Sequence, residues 1–357
     1  ASQLLEVTSA LLSSGEVDSL LVALVATSVS DPHALTEALS RARSEHPLVP
    51  VVLVAMGGLE VAPGQLPGIT VFDTPDDAVG ALAHAVRRAA WLDRPREDAE
   101  PPDEERAATA SALAQDLTVK AGPSWLDADQ MRELLSPYGL VPTGELVSSP
   151  LAAAKVAART GFPVVVKVAD PDVVHKTDRG LVRVGLQSGL EVSTAVRAFE
   201  AELNRSDVPV LVQPTVPGVE MALGVVRDPG FGPLVMVAAG GVATEVWNDR
   251  TFLLPPVTRQ DAGRALQSLR IWPLLNGYRG SDRVDLDALE QAIQSLGQLA
   301  VDVPELAELD LNPVMANPRG AVLVDAKVRL AEAQHVDAGV PRQLRTRTPT
   351  APRKEPQ

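Results

Sequence analysis

"GFPVVVKVADPDVVHKTDRG", residues 161–180, decides how the chain is read. A short β-branched run suited to the interior of a sheet carries a lysine near its end, and a His-Lys-Thr-Asp cluster follows eight residues later. Lysine is scarce, with six among 32 basic residues, so a lysine kept inside a β run is informative. Its compact ammonium suits a phosphate oxygen, although a strand-end lysine reaching out to solvent gives the same pattern.

Working outward, a length of 357 residues calls for two or more cores. Hydrophobic residues make up 45% of the chain and aromatic residues only 3%, so the cores are built from Val, Leu and Ala, and stacking platforms for bases are excluded as the main binding device. A net charge of −14 opposes binding to nucleic acid or to an anionic membrane through the whole surface, so any phosphate must be held by a local site. Without cysteine there are no disulfides and no thiolate metal sites. The N-terminal segment has no basic region, and the longest apolar runs fall far below the ~20 residues of a membrane helix. The expectation is a soluble, cytoplasmic chain with no nucleic-acid and no membrane partner.

Residues 1–92 read as a small doubly wound α/β unit. VDSLLVALVA, LVPVVLVAMGG and GITVFDT are nearly continuous apolar runs of the parallel-strand kind, while 32–45 and 75–91 carry helical spacing with proline at the start. No G-x-G-x-x-G follows a strand, so a dinucleotide is not indicated. The charged, proline-rich stretch that begins at Asp93 predicts an acidic linker over 93–118. Helices and β-rich segments alternate over 119–335, which suggests an α+β domain, and the tail 336–357 reads as disordered.

Three further clusters could carry chemistry. In AELDLNPVMANPRGAVLVDAKVRL, Asp310, Asn312 and Asp325 lie on or beside two strands joined by a short turn. Hard oxygen donors of that kind suit Mg²⁺, and an ordinary hairpin with Asn and Asp in turn hydrogen bonds gives the same text. In RDPGFGPLVMVAAGGVATEVWND, Gly240 and Gly241 would let backbone N–H groups approach an anion, and Glu245 and Asp249 form a second candidate carboxylate pair. In NGYRGSD, Arg279 sits on a glycine-flanked loop, where it either clamps a phosphate or caps a helix.

One pattern orders all of these. The blocks GFPVVVKV, HKTDRG, VLVQPTVPGVEMALGVVRDPGFGPLV, GGVATEV, NGYRG, ELDLNP and VDAK, in sequence over about 125–330, resemble the ATP-grasp domain of NDP-forming acyl-CoA synthetases, relatives of the succinyl-CoA synthetase β subunit. Residues 1–92 are similar to the flavodoxin-like ligase-CoA domain that precedes it in fused members. The resemblance implies an α/β chain in which that domain is followed by an α+β ATP-grasp domain. It makes Lys167 a ligand of the nucleotide phosphates, puts Gln213, Glu220, Gly240, Gly241 and Arg279 in the nucleotide site, and gives Mg²⁺ to Asn312, Asp325 and Glu245, with Lys327 in support. His175 corresponds to the histidine that receives phosphoryl at the nucleotide site. The nucleotide is ATP/ADP or GTP/GDP.

No segment resembles the loop that bears the family's main phosphohistidine, and His33, His46 and His84 lie in helical or linker contexts. The expected partners are therefore a CoA-binding, phosphohistidine-bearing domain or subunit, within an oligomer. Some family members join these modules to a GNAT acetyltransferase, so a non-catalytic regulatory module of such a protein is the alternative.

Overall fold

The computed structural model describes residues 1–27, 31–62, 64–94, 97, 101–170, 173, 179–241 and 248–333. The chain divides into two compact units at residues 96 and 97. No helix among the described residues is long and apolar enough to cross a membrane.

The first unit runs α1 (Ser2–Ser13), β1 (Leu20–Val25), α2 (Pro32–Glu45), β2 (Val51–Met56), β3 (Ile69–Phe72) and α3 (Pro75–Leu92). Both α2 and α3 start where the sequence places a proline behind a polar cap. The Asp31 carboxylate accepts from the N–H groups of His33 and Ala34, and Thr74 accepts from Asp77 N–H. The three strands are parallel, and β2 is buried on both faces. Val51 and Leu53 pack with Leu12 and Leu39 of the flanking helices, while Val52 and Val54 pack with Ala78. Helices thus cover both faces, as the apolar runs require. The strand order β1-β2-β3 follows the chain, so the described strands contain no reversal of the kind that opens a ligand crevice in doubly wound sheets.

The second unit holds two antiparallel sheets. The smaller, ordered β5-β8-β6-β7, comprises β5 (Glu145–Val147), β6 (Val164–Val168), β7 (Val182–Leu186) and β8 (Val210–Pro214). Helices α6 (Pro150–Thr160) and α7 (Gly189–Glu202) supply Val156, Val196 and Phe199 to its core. The apolar run around Lys167 is buried on one face only. Val164, Val166 and Val168 point into the core, while Val165 and Lys167 take the other face by strand alternation.

The larger sheet is ordered β11-β10-β9-β12-β14-β4, with β13 paired to β12. Its strands are β4 (Ser124–Trp125), β9 (Val219–Asp228), β10 (Gly232–Ala239), β11 (Arg250–Leu253), β12 (Leu306–Asn317), β13 (Gly320–Leu323) and β14 (Lys327–Leu330). Among the described residues this unit also holds helices α4 (Glu104–Ala121), α5 (Ala128–Leu135), α8 (Arg259–Ser268), α9 (Trp272–Leu275) and α10 (Leu286–Asp302). Leu289, Ile293 and Leu296 of α10 share a core with Leu223, Val237 and Leu309 of the sheet.

Helix α4 corrects the expected linker. From Glu104 onward the stretch is helical, capped by Asp103, and Ala110 and Ala114 are buried in the core of the second unit. Alanines four residues apart make a helix face without an obvious hydrophobic signal, because a methyl group adds little to the pattern yet packs closely. The expected disordered tail lies outside the described residues.

Candidate functional site

The site is assembled where the free face of the smaller sheet meets the segment joining β13 to β14. Lys167, on β6, donates from Nζ to Asp325 Oδ1 at 2.7 Å and to Val324 O at 3.0 Å. Gln213, on β8, lies opposite Val165 in the ladder and so shares that face. Its amide nitrogen donates to Val324 O at 2.7 Å and to Thr143 O at 2.6 Å. Two side chains from one sheet therefore converge on a single carbonyl of the segment that follows β13. Gln213 is fully buried, and its Oε1 finds no hydrogen-bond partner among the described residues.

The larger sheet brings the oxygen donors. Val314 lies opposite Leu323 in the β12–β13 hairpin, and Val324 N–H donates to Pro313 O. The next step outward holds Asn312 on one side and Asp325 on the other. Asn312 is exposed, at an irregularity in the β12–β9 register between Leu311 and Val314. Asp310 stands between Gly224 of β9 and Lys327 of β14. Burial pushes its carboxyl above the usual range; Lys327 opposes that shift, and Asp325 and Glu308 add to it.

Glu220, Gly240 and Gly241 form a second grouping. Gly240 N–H donates to Glu220 O at 2.7 Å, and a Cβ on Gly240 would come within 2.8 Å of the Glu220 backbone. A Cβ on Gly241 would collide with the Glu220 carboxylate, and its φ of +69° is the left-handed conformation that favours glycine. The close approach of the β9 backbone thus accounts for Gly240, and the left-handed backbone conformation for Gly241. Arg279 is exposed at φ 53° in a short turn between α9 and α10, its guanidinium 5.2 Å from the centroid of the Tyr278 ring. Among the described residues no hydrogen bond or ion pair ties Arg279 to Lys167 or Asp325.

Asp249 is not available as half of a carboxylate pair. It is buried, and its two oxygens accept from the N–H groups of Arg270 and Ile271 at 2.8 and 2.9 Å. His175 and Glu245 lie outside the described residues. Among those described, no group of three or more His, Cys, Asp and Glu could hold a metal ion. Asn312, Asp325 and nearby Asp310 are nonetheless all oxygen donors, which fits a cation that takes one or two carboxylates and completes its shell with water and phosphate oxygens. The carbonyls of Val324 and Thr143 were invisible in the sequence, because a backbone acceptor leaves no residue-type signal.

Residues 118–330 match the family model described as ATP-grasp domain. The chain is 32% identical over 233 residues to the acetate–CoA ligase [ADP-forming] I subunit beta of Pyrococcus furiosus, with 63% of this chain aligned to 100% of that subunit. It is 34% identical to the 4-hydroxybutyrate–CoA ligase [ADP-forming] of Nitrosopumilus maritimus, where 62% of this chain spans 33% of the relative. A dinucleotide-forming acetyl-coenzyme A synthetase 1 of Candidatus Korarchaeum cryptofilum is similar in structure, with a TM-score of 0.54, 36% identity, and coverage of 62% of this chain and 99% of that chain. That structure holds coenzyme A and Mg-AMPPCP, with its phosphohistidine segment pointing towards the nucleotide-binding site.

Proposed function

The chain belongs, over residues 118–330, to the ATP-grasp domain family, and from that membership we propose that it is the nucleotide-binding, phosphoryl-transferring part of an NDP-forming acyl-CoA synthetase. The overall reaction exchanges acyl-CoA, NDP and phosphate for the acid, CoA and NTP. The observation that carries this reading is the meeting of Lys167 with Asp325, a cation beside a hard oxygen donor within the matched segment. Phosphoryl transfer asks a protein mainly for such positioning and charge neutralisation.

In this reading Lys167 binds a phosphate oxygen of the nucleotide. Gln213 holds the Val324 carbonyl and with it the turn that carries Asp325. Glu220, Gly240 and Gly241 wall the nucleotide pocket, and Arg279 clamps a phosphate from its loop. Mg²⁺, when bound, neutralises phosphate charge, and Asn312, Asp325 and Glu245 are the residues that would hold it. His175 accepts the phosphoryl group: the N–P bond forms as the bond to the bridging oxygen of the NTP breaks, and NDP leaves. A neutral imidazole is nucleophilic enough at pH 7 for that role.

A CoA-binding, phosphohistidine-bearing domain or subunit is the partner this reading requires, since the matched segment spans the whole beta subunit of one ligase and a third of another. We take the first unit to be a flavodoxin-like ligase-CoA domain, supported by a parallel sheet with helices on both faces. The regulatory alternative, a module of a GNAT acetyltransferase, has no observation in its favour.

The test is calorimetric binding of ATP and ADP with and without Mg²⁺, beside Lys167→Ala. Metal-dependent binding that the substitution weakens about tenfold or more is expected; a folded chain that binds neither nucleotide overturns the reading. For the acceptor, intact-mass spectra at neutral pH after MgATP and a complementary subunit should show one phosphoryl group that His175→Ala removes. Its persistence in that variant would place the acceptor elsewhere.

A further inference from the structure

Lys167 and Asp325 are each other's counter-ion. The ammonium lies 2.7 Å from Oδ1; the lysine side chain is 12% exposed, while the aspartate side chain, 41% exposed, is open to an approaching cation. The inference below rests on the proposed function, in which the first residue binds phosphate and the second binds metal. We propose that this ion pair is a latch that makes nucleotide binding conditional on the divalent cation. With the Asp325 carboxylate on Lys167, a phosphate approaching the ammonium meets a carboxylate already in place. A cation that draws Asp325 to itself frees the ammonium for the phosphate and removes the opposing charge in the same step.

The surrounding contacts allow this exchange to involve side chains alone. Gln213 also donates to Val324 O, and Val324 N–H is held by Pro313 O, so the turn keeps its position when Lys167 lets go. Lys327 faces Asp310 across β14 and β12 and moderates that acid, while among the described residues Lys167 is the cation seen bonded to Asp325. The latch therefore has two states, Asp325 on Lys167 or Asp325 on the metal, and the nucleotide favours the second. Its binding and that of the cation are coupled in both directions.

The measurement is calorimetric titration of the full chain with ADP, in EDTA and in magnesium, for wild type, Asp325→Asn, Lys167→Ala and the double variant. The latch predicts that Asp325→Asn binds metal-free ADP about tenfold tighter than wild type, while the gain brought by magnesium shrinks to within about threefold. It also predicts that the improvement disappears when Lys167 is alanine, the signature of a pairwise interaction. Metal-free affinity unchanged or weakened in a folded Asp325→Asn overturns the latch and leaves the nucleotide reading standing. An improvement that survives in the Lys167→Ala background also overturns it, because bulk charge would then be the cause. A wild type that binds ADP in neither condition removes the nucleotide reading and the latch together. A second readout needs no variant: amine-reactive labelling of Lys167, followed by mass spectrometry, should rise severalfold in saturating magnesium without nucleotide. Labelling that magnesium leaves unchanged counts against the latch.

Discussion

Tyr138 donates its hydroxyl to Asp302 Oδ2 at 2.8 Å in the interior of the second unit. Burial and then this hydrogen bond push the phenol above its ordinary range. Gln298 donates to the other carboxylate oxygen at 2.7 Å, and Arg106 of α4 lies 4.8 Å from the centre of the tyrosine ring. Tyr138→Phe should cost about 1–3 kcal/mol in chemical denaturation, since a buried carboxylate loses a donor. The same cluster ties α4 to α10, so a chain starting at residue 119 should melt below one starting at residue 101.

Gly240 and Gly80 should respond to alanine in opposite directions. At Gly240 the new methyl meets backbone of Glu220 at 2.8 Å, which cannot swing aside, and a loss of about 1–3 kcal/mol is expected. At Gly80, within α3, nothing lies within 4 Å, and the substitution should stabilise the first unit by about 0.5–1 kcal/mol through helix propensity. Denaturation followed separately for each unit would read both.

Arg279→Gly separates backbone strain from binding. A non-glycine residue at φ 53° costs of order 1 kcal/mol, so the variant should fold as stably as wild type or more so. If the guanidinium clamps a phosphate, nucleotide affinity should nevertheless fall about tenfold or more. Unchanged affinity in the stable variant would restrict Arg279 to a role in the turn.

Glu290, on α10, faces Gly263 of α8, where a Cβ would come within 2.8 Å of its Oε1. Burial raises its carboxyl, partly offset by Arg259. A raised acid binds its proton more tightly when folded, so its contribution is present below the unfolded pKa and is lost as pH rises through the folded one. Glu290→Gln should therefore flatten the decline in stability above about pH 4.3, the unfolded glutamate value, and melt no lower than wild type at pH 7. A variant that keeps the wild-type pH slope would assign the slope to other acids.

Much of the fold could be read in the sequence because local signals agreed with one another. Pro32, Pro75 and Pro150 mark helix starts, each behind a polar cap, and the runs at 51–56 and 164–168 are strands. Helix α4 escaped because its buried face is alanine. Asp310, Asn312 and Asp325 were legible as oxygen donors on one hairpin, yet the contact between Lys167 and Val324 spans 157 residues and ends on a carbonyl. Asp249 looked like a ligand because a carboxylate that binds backbone N–H groups has the same letter as one that binds metal. Such assignments depend on tertiary contacts, which no spacing rule encodes.

The alternation along β6 makes it a strand with two independent masters. Substitutions among Val164, Val166 and Val168 answer to the volume of a hydrophobic core, whereas changes at Val165 and Lys167 answer to the opposite face, where Lys167 meets Asp325 and the Val324 carbonyl. An engineer could therefore harden the small sheet against heat through the even-numbered positions and alter the contacts with Asp325 and Val324 through the odd ones, with little cross-talk between the two campaigns.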